Sequence, residues 1–437
     1  MRGCPPGGCM ENRNTGYETE RDERREIRRQ RRIRSQIIAY VLAGIVFVCL
    51  VFGGALAIRG IGSALISLNS AAALASTEEA SVEAEDVAAT SPMDISVDVA
   101  VQETDVLDGI VDNCISSMPL EDKVAGLFFI APEQLTGVEA VIKAGTATQD
   151  ALMAYPVGGL FYTSKNMKDE AQLSEMIAST KEMSKYPLFV GTCEVGGSSS
   201  QIANALGLGM PQSPSELAAT GNADEAYNTA NTVSDYMNKY GFNTNLGINA
   251  NLSEGETSFG TDSQVASMMI GQTVSGLKNF GVNACLQYFP QMSDDGSSID
   301  DLASRLEPFK AGIDAGAPMI MVCTAPSQGV TGDDTPSCLS SVIMQDVLRN
   351  QLGFNGIIIT DSLNDGNITE KYSAGDAAIA AINAGADMIF IPSDFTEAYT
   401  ALLTAVQNGT ISEERINESL HRIYRVKYAD KAAEIAE

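Results

Sequence analysis

From about residue 106 onward, short apolar runs rich in β-branched and aromatic residues alternate with longer segments of helical period. Strands that alternate with helices in this way predict βα units and a parallel sheet. Seven strands are legible, at 157–162, 187–192, 242–249, 283–289, 318–323, 356–360 and 387–391, and an eighth is either hidden in 127–131 or lost. Helices are predicted over 169–185, 223–240, 262–280, 302–315, 340–352, 373–384 and 395–407. This spacing predicts an α/β fold of the (β/α)8 TIM-barrel type rather than an open doubly wound sheet. No Gly-rich nucleotide loop follows any strand, which weakens a dinucleotide-binding reading.

A different pattern precedes the barrel. Residues 37–58 form an uncharged apolar run of 22 residues, about 33 Å long as a helix and enough to cross a bilayer. Seven arginines between Arg24 and Arg34 flank its N-terminal side and only Arg59 its C-terminal side. The positive-inside rule then puts residues 1–35 in the cytoplasm and the large domain outside. A cleaved signal peptide ending near Ala73, Leu74 and Ala75 fits less well, because the apolar run is too long and its leader too extended. The expected organisation is a cytoplasmic tail (1–35), a transmembrane helix (36–58), a flexible acidic Ala/Ser-rich linker (59–103) and a barrel (104–430). The expected location is the cell membrane, with a single pass.

Charge sharpens this division. Residues 1–35 carry +4 and the remainder −32 of the formal −28, so the large part repels nucleic acid and that class of partner is excluded. Five cysteines lie beyond the membrane segment, an odd and scattered set that is no disulfide framework. The chain has one histidine, His421, and no CxxC pair, so neither a metal nor a cofactor is expected.

In a barrel of this type the chemistry sits at the C-terminal ends of the strands, which directs attention to Cys193, 249–256, 287–301, Thr324 and Asp361. Asp361 follows the apolar strand GIIIT directly, so its carboxylate is expected at the barrel mouth. In a barrel without turnover it would be held by hydrogen bonds from neighbours such as Thr324 or Asn249.

The segment TPSCLSSVIMQDVLRNQLGFNGIIITDSL, 335–363, resembles glycoside hydrolase family 3, as do VGGLFYTSKNM (157–167), PLFVGTCEVGG (187–197), LQYFPQM (286–292) and AGADMIFIP (384–392). The resemblance covers roughly 106–428 and is nearest to the single-domain bacterial β-N-acetylhexosaminidases. It implies a retaining glycosidase barrel with Asp361 at the nucleophile position. The family's acid/base histidine, on a loop after a KHFPGHG motif, has no counterpart, because this chain reads QYFPQMSDDGSSIDDL there. Gln287, Tyr288 and Met292 stand where the family has Lys and two His. Cys193, Glu194 and Ser198 occupy positions of its D-Q-E-G-G-R element, Thr257 the Arg of R-S-F-G, and Asn251 the Asp of P-V-x-D.

Gripping a hydroxylated sugar takes charged, bidentate partners, and most are replaced here. Two readings follow. One is a catalytically impaired barrel that acts as a glycan-binding or assembly module, its partners being cell-wall glycan or surface proteins. The other is an active retaining enzyme that recruits Asp294, Asp295, Asp300 or Asp301 as acid/base. Oligomeric state is not legible.

Overall fold

In a computed structural model, residues 95–290 and 302–430 are described, all within one contact unit, Ser91–Glu437. The predicted tail and membrane span, residues 1–58, lie outside the described residues. Among the described residues no helix is long and apolar enough to cross a membrane. The helix Ile95–Ser117 runs through residue 103, where the linker was expected to end.

Eight parallel strands form the sheet: β1 (Phe128–Ile130), β2 (Gly159–Phe161), β3 (Phe189–Thr192), β4 (Thr244–Asn249), β5 (Asn283–Phe289), β6 (Met319–Val322), β7 (Ile357–Thr360) and β8 (Ile389–Phe390). Each pairs with its neighbour in sequence and β1 pairs with β8. A parallel bridge from Ile359 to Met388 brings the two ends together in a nearly closed barrel. The eighth strand is the one hidden in 127–131. Apart from Phe161 at the end of β2, Asn249 at the end of β4, and Asn283 and Tyr288 in β5, the strands are buried on both faces, and that is why they read as apolar runs without alternation.

Helices return the chain after most strands, and side chains begin them. Asp169, Asp262 and Asp394 accept backbone N–H groups as N-caps of Glu170–Met183, Ser263–Lys278 and Phe395–Gln407. The helix expected over 340–352 is present, as a wider π-type helix, Val342–Gln351.

The barrel interior is filled by a large-against-small arrangement. The Phe129 ring lies where a Cβ on Gly159 or on Gly191 would sit, 2.7 Å from each. It stacks on Phe189, with centroids 6.3 Å apart, and meets Phe390 edge to face at 5.9 Å. Two glycines in adjacent strands thus make room for one ring.

Closure is secured at the N-terminal end of the barrel by a buried carboxylate. Asp387, with no solvent exposure, accepts from Arg349 Nη2 at 2.6 Å, Arg422 Nη1 at 2.9 Å, Ser419 Oγ at 2.8 Å and the Ile358 N–H at 2.9 Å. The C-terminal helix Glu413–Lys427, which supplies Ser419 and Arg422, is thereby tied to β7 and to the approach to β8.

Candidate active site

Register and alternation determine what the mouth presents. Phe161 pairs with Gly191, Asn249 with Gln287 and Met321 with Ile359. Stepping two residues along each strand puts Phe161, Cys193, Gln287, Cys323, Asp361 and Phe390 on the interior face at the C-terminal end. Asp361 directly follows β7 at this end of the barrel.

Its environment is not the expected one. Among the described residues Asp361 accepts one hydrogen bond, from its neighbour Ser362 N–H at 2.7 Å, and neither Thr324 nor Asn249 donates to it. Burial raises its pKa from 3.8 to about 6; the Ser362 bond pulls the other way and Asp365 adds a small push upward. An under-bonded carboxylate on an apolar wall behaves this way, because burial disfavours its ionised form.

The neighbours hold their protons more firmly still. Burial pushes the Cys193 and Cys323 thiols up to about 12, and it raises the pKa of the Tyr288 phenol as well. Among the described residues the Gln287 side chain, 5% exposed, makes one hydrogen bond, from Nε2 to Cys193 Sγ at 4.0 Å. The Gln287–Tyr288 and Phe289–Pro290 peptides are both cis.

The remaining candidate positions divide. Glu194, 2% exposed, is turned into the protein, where it accepts from Ile202 N–H at 2.8 Å, Ala203 N–H at 3.1 Å and Tyr236 Oη at 2.7 Å. It caps the helix Gln201–Leu206, so it serves the scaffold and not the mouth. Burial raises its pKa in spite of these donors. Ser198 is exposed and is held by Glu256, through its N–H and its hydroxyl at 2.7 Å each. Those bonds keep the Glu256 carboxyl below the usual carboxylate range. Thr257 and Asn251 are half-buried, and Asn251 Oδ1 is buried without a hydrogen-bond partner. Met292, Asp294, Asp295, Asp300 and Asp301 lie outside the described residues.

Sequence reasoning missed Phe161 and Phe390, and it included Glu256 in the mouth region 249–256 without seeing its role. The two rings meet edge to face at 5.2 Å, and their inward parity could have been read from alternation within each strand. Nothing in the sequence marks Glu256 as the partner of Ser198. The one histidine is far from this chemistry. His421 Nε2 lies 3.6 Å from Asp108 and 3.8 Å from Asp112, against the first described helix, and the adjoining Leu420 packs on Gly126 at the N-terminal approach to β1. A cavity of about 480 Å³ also opens at that opposite end, lined by Phe189, Asn243, Lys278, Val282, Arg425 and Lys427. It is remote from Asp361. Among the described residues no cluster fit to hold a metal occurs.

This barrel, with Asp361 directly after β7, belongs to a known family: residues 120–426 match the glycosyl hydrolase family 3 N-terminal domain, and the chain is a member of it. It is 26% identical over 311 residues to a β-hexosaminidase of Nitrosomonas eutropha, an alignment that covers 63% of this chain and 87% of the relative. It is 25% identical over 299 residues to a β-N-acetylglucosaminidase/β-glucosidase of Cellulomonas fimi, covering 62% of this chain and 52% of that one. The chain thus spans about half the length of the second relative. Among solved structures it superposes on a family 3 β-N-acetylglucosaminidase of a Paenibacillus species with a TM-score of 0.66 at 24% identity, covering 72% of this chain and 64% of that one. For a β-N-acetylhexosaminidase of Beutenbergia cavernae the TM-score is 0.61 at 24% identity, with 71% and 99% covered. At that identity the likeness to solved structures establishes the fold alone.

Proposed function

We propose that this chain is a hexosamine-glycan-binding barrel, held outside the cytoplasm by the 36–58 segment, which has lost effective hydrolysis. Its relatives' names supply the glycan class. The observation that carries the loss is the separation of the lone histidine from the mouth: Asp361 stands at one end of the barrel and His421 at the other.

Retaining hydrolysis needs a nucleophile and, about 5–5.5 Å away, an acid that protonates the leaving oxygen. An effective general acid has a pKa near the working pH. The described groups around Asp361 that carry a proton, namely Cys193, Cys323 and Tyr288, hold it far too firmly to serve. Among the positions that would grip a sugar, Glu194 is committed to a helix N-terminus and Ser198 to Glu256.

The test is a comparison of the full chain with its Asp361→Asn variant on a panel of aryl β-glycosides and N-acetylglucosaminides. Turnover is expected to equal buffer for both. Hydrolysis by the parent that disappears in Asp361→Asn would establish the retaining mechanism and remove this proposal. For the location, protease added to intact wall-stripped cells is expected to degrade the barrel. Survival of the barrel until the membrane is permeabilised would overturn the topology.

A further inference from the structure

Lys427 ends the C-terminal helix and lines the cavity of about 480 Å³ at the N-terminal end of the barrel. Its Nζ stands 4.8 Å from the centroid of the Phe189 ring and 5.0 Å from that of Tyr424. Two aromatic faces favour a cation there, but they offer no oxygen to the N–H donors of an ammonium. Among the described residues Lys427 Nζ meets no carboxylate and donates no hydrogen bond. Burial lowers its pKa to about 7, and the one group that opposes this is the Cys114 thiol. A lysine kept for packing alone would carry its amine out to water or to a carboxylate, as Lys123 does to Glu413 and Lys310 to Asp314.

The rest of the cavity fits an anion with a hydrocarbon body. Its lining carries three cationic side chains, Lys278, Arg425 and Lys427, against one carboxylate, Asp430, in a chain with twice as many acidic as basic residues. Arg425 is already bonded to Asp108, which leaves Lys278 and Lys427 against Asp430. Asn243 uses its amide on the Leu188 carbonyl and the Val190 N–H, and the Asn283 amide donates to the Asn243 carbonyl. These amides shape the floor of the cavity and do not reach the lysine. Between the polar groups the wall is aliphatic, with Leu188, Val274 and Val426.

We propose that this cavity binds a small monocarboxylate with an aliphatic body, its carboxylate on the Lys427 ammonium and its hydrocarbon against the aliphatic wall. The site lies at the end of the barrel opposite Asp361 and is independent of the glycan-binding reading. A carboxylate accepts charge-assisted hydrogen bonds from the ammonium and favours the charged form that burial disfavours. Inorganic phosphate shares the sign, but it would have to shed its water against an apolar wall. Because the anion stabilises the ammonium, binding near pH 7 draws a proton onto Lys427. The titratable and charged groups around it are Tyr424, Arg425 and Tyr428 of its own segment, Asp108 and Cys114 of the first described helix, Tyr186 before β3, Lys278 and Asp430. His421 stands beyond Asp108 on the same helix.

The experiment is calorimetric titration of the full chain, in detergent micelles, with hexanoate, 1-hexanol, hexylammonium and inorganic phosphate, the heat of each into protein-free micelles being subtracted. Hexanoate is expected to bind about tenfold more tightly than hexanol at about pH 6, the gain from one charge-assisted hydrogen bond. Its affinity is expected to fall as the pH rises above about 7, where the lysine loses its charge. Near that pH, titrations in buffers of different ionisation enthalpy are expected to show proton uptake on binding, a reading that needs no variant. In Lys427→Met, checked for folding by its melting curve, the preference and the proton uptake are both expected to vanish, although the Cys114 thiol and His421 remain. Hexanol or hexylammonium binding as tightly as hexanoate means that the hydrocarbon alone is recognised, and phosphate binding as tightly means that the charge alone is. Either result overturns the proposal. So does a preference that survives in Lys427→Met, binding without proton uptake, or no binding at all.

Discussion

Asp361 sets the sign of a measurable pH effect. Its pKa is about 6 in the folded chain against about 3.9 unfolded, so the folded state binds the proton more tightly. The contribution to stability is therefore full below about pH 4 and is lost as the pH rises through about 6. Above that range the ionised carboxylate costs stability. Asp361→Asn keeps an acceptor for the Ser362 N–H and removes the charge. It is expected to leave the melting temperature unchanged near pH 4 and to raise it by about 2–4 °C at pH 8, a gain of about 1–2 kcal/mol after allowance for partial solvent contact. A lower melting temperature for the variant at pH 8 would show that the mouth compensates the charge. Gly191 makes the opposite point, since an added methyl would lie 2.7 Å from the Phe129 ring and 3.2 Å from Leu246. Gly191→Ala is expected to cost about 1–3 kcal/mol in denaturant unfolding, and an unchanged midpoint would mean that the ring has room to retreat.

Among the elements, the helix Gln201–Leu206 depends on one side chain. Six residues cannot hold a helix by themselves, and Glu194 satisfies two of its first N–H groups while also holding Tyr236. Glu194→Ala is expected to destabilise the barrel by about 2–3 kcal/mol and to leave affinity for the N-acetylglucosamine tetramer unchanged in calorimetric titration. A loss of affinity without loss of stability would return Glu194 to the mouth. The elements were largely legible beforehand, because a strand buried on both faces is an apolar run and its helices carry their own caps. β1 was uncertain because LFFIA is a run of three strand residues beside a helix. The site was legible only as positions. Asp361 could be placed by its strand, but Glu194 could not be seen to turn inward, since its partners lie 8, 9 and 42 residues away in sequence. The inward faces of Phe161 and Phe390 needed the register between strands.

For the whole molecule, the −32 carried beyond residue 35 opposes self-association. A fragment that begins at Ser91 is expected to sediment as a monomer without detergent, and precipitation or a need for lipid would mean that the preceding segment contributes to the core. The Asp387 cluster belongs to this scale as well, because its partners span from Arg349 to Arg422. Asp387→Ala removes the acceptor shared by two guanidinium groups, and is expected to cost about 3–5 kcal/mol in urea unfolding; a change below about 1 kcal/mol would show that the arginines find water instead. The same cluster bears on how the chain is made. A ribosome releases Asp387 well before Ser419 and Arg422, so during that interval the nascent barrel has all eight strands and a carboxylate still short of two of its partners. Completion of this cluster waits on the helix Glu413–Lys427, and a message truncated just before codon 413 would yield a chain that has all eight strands and is yet a substrate for quality-control proteases.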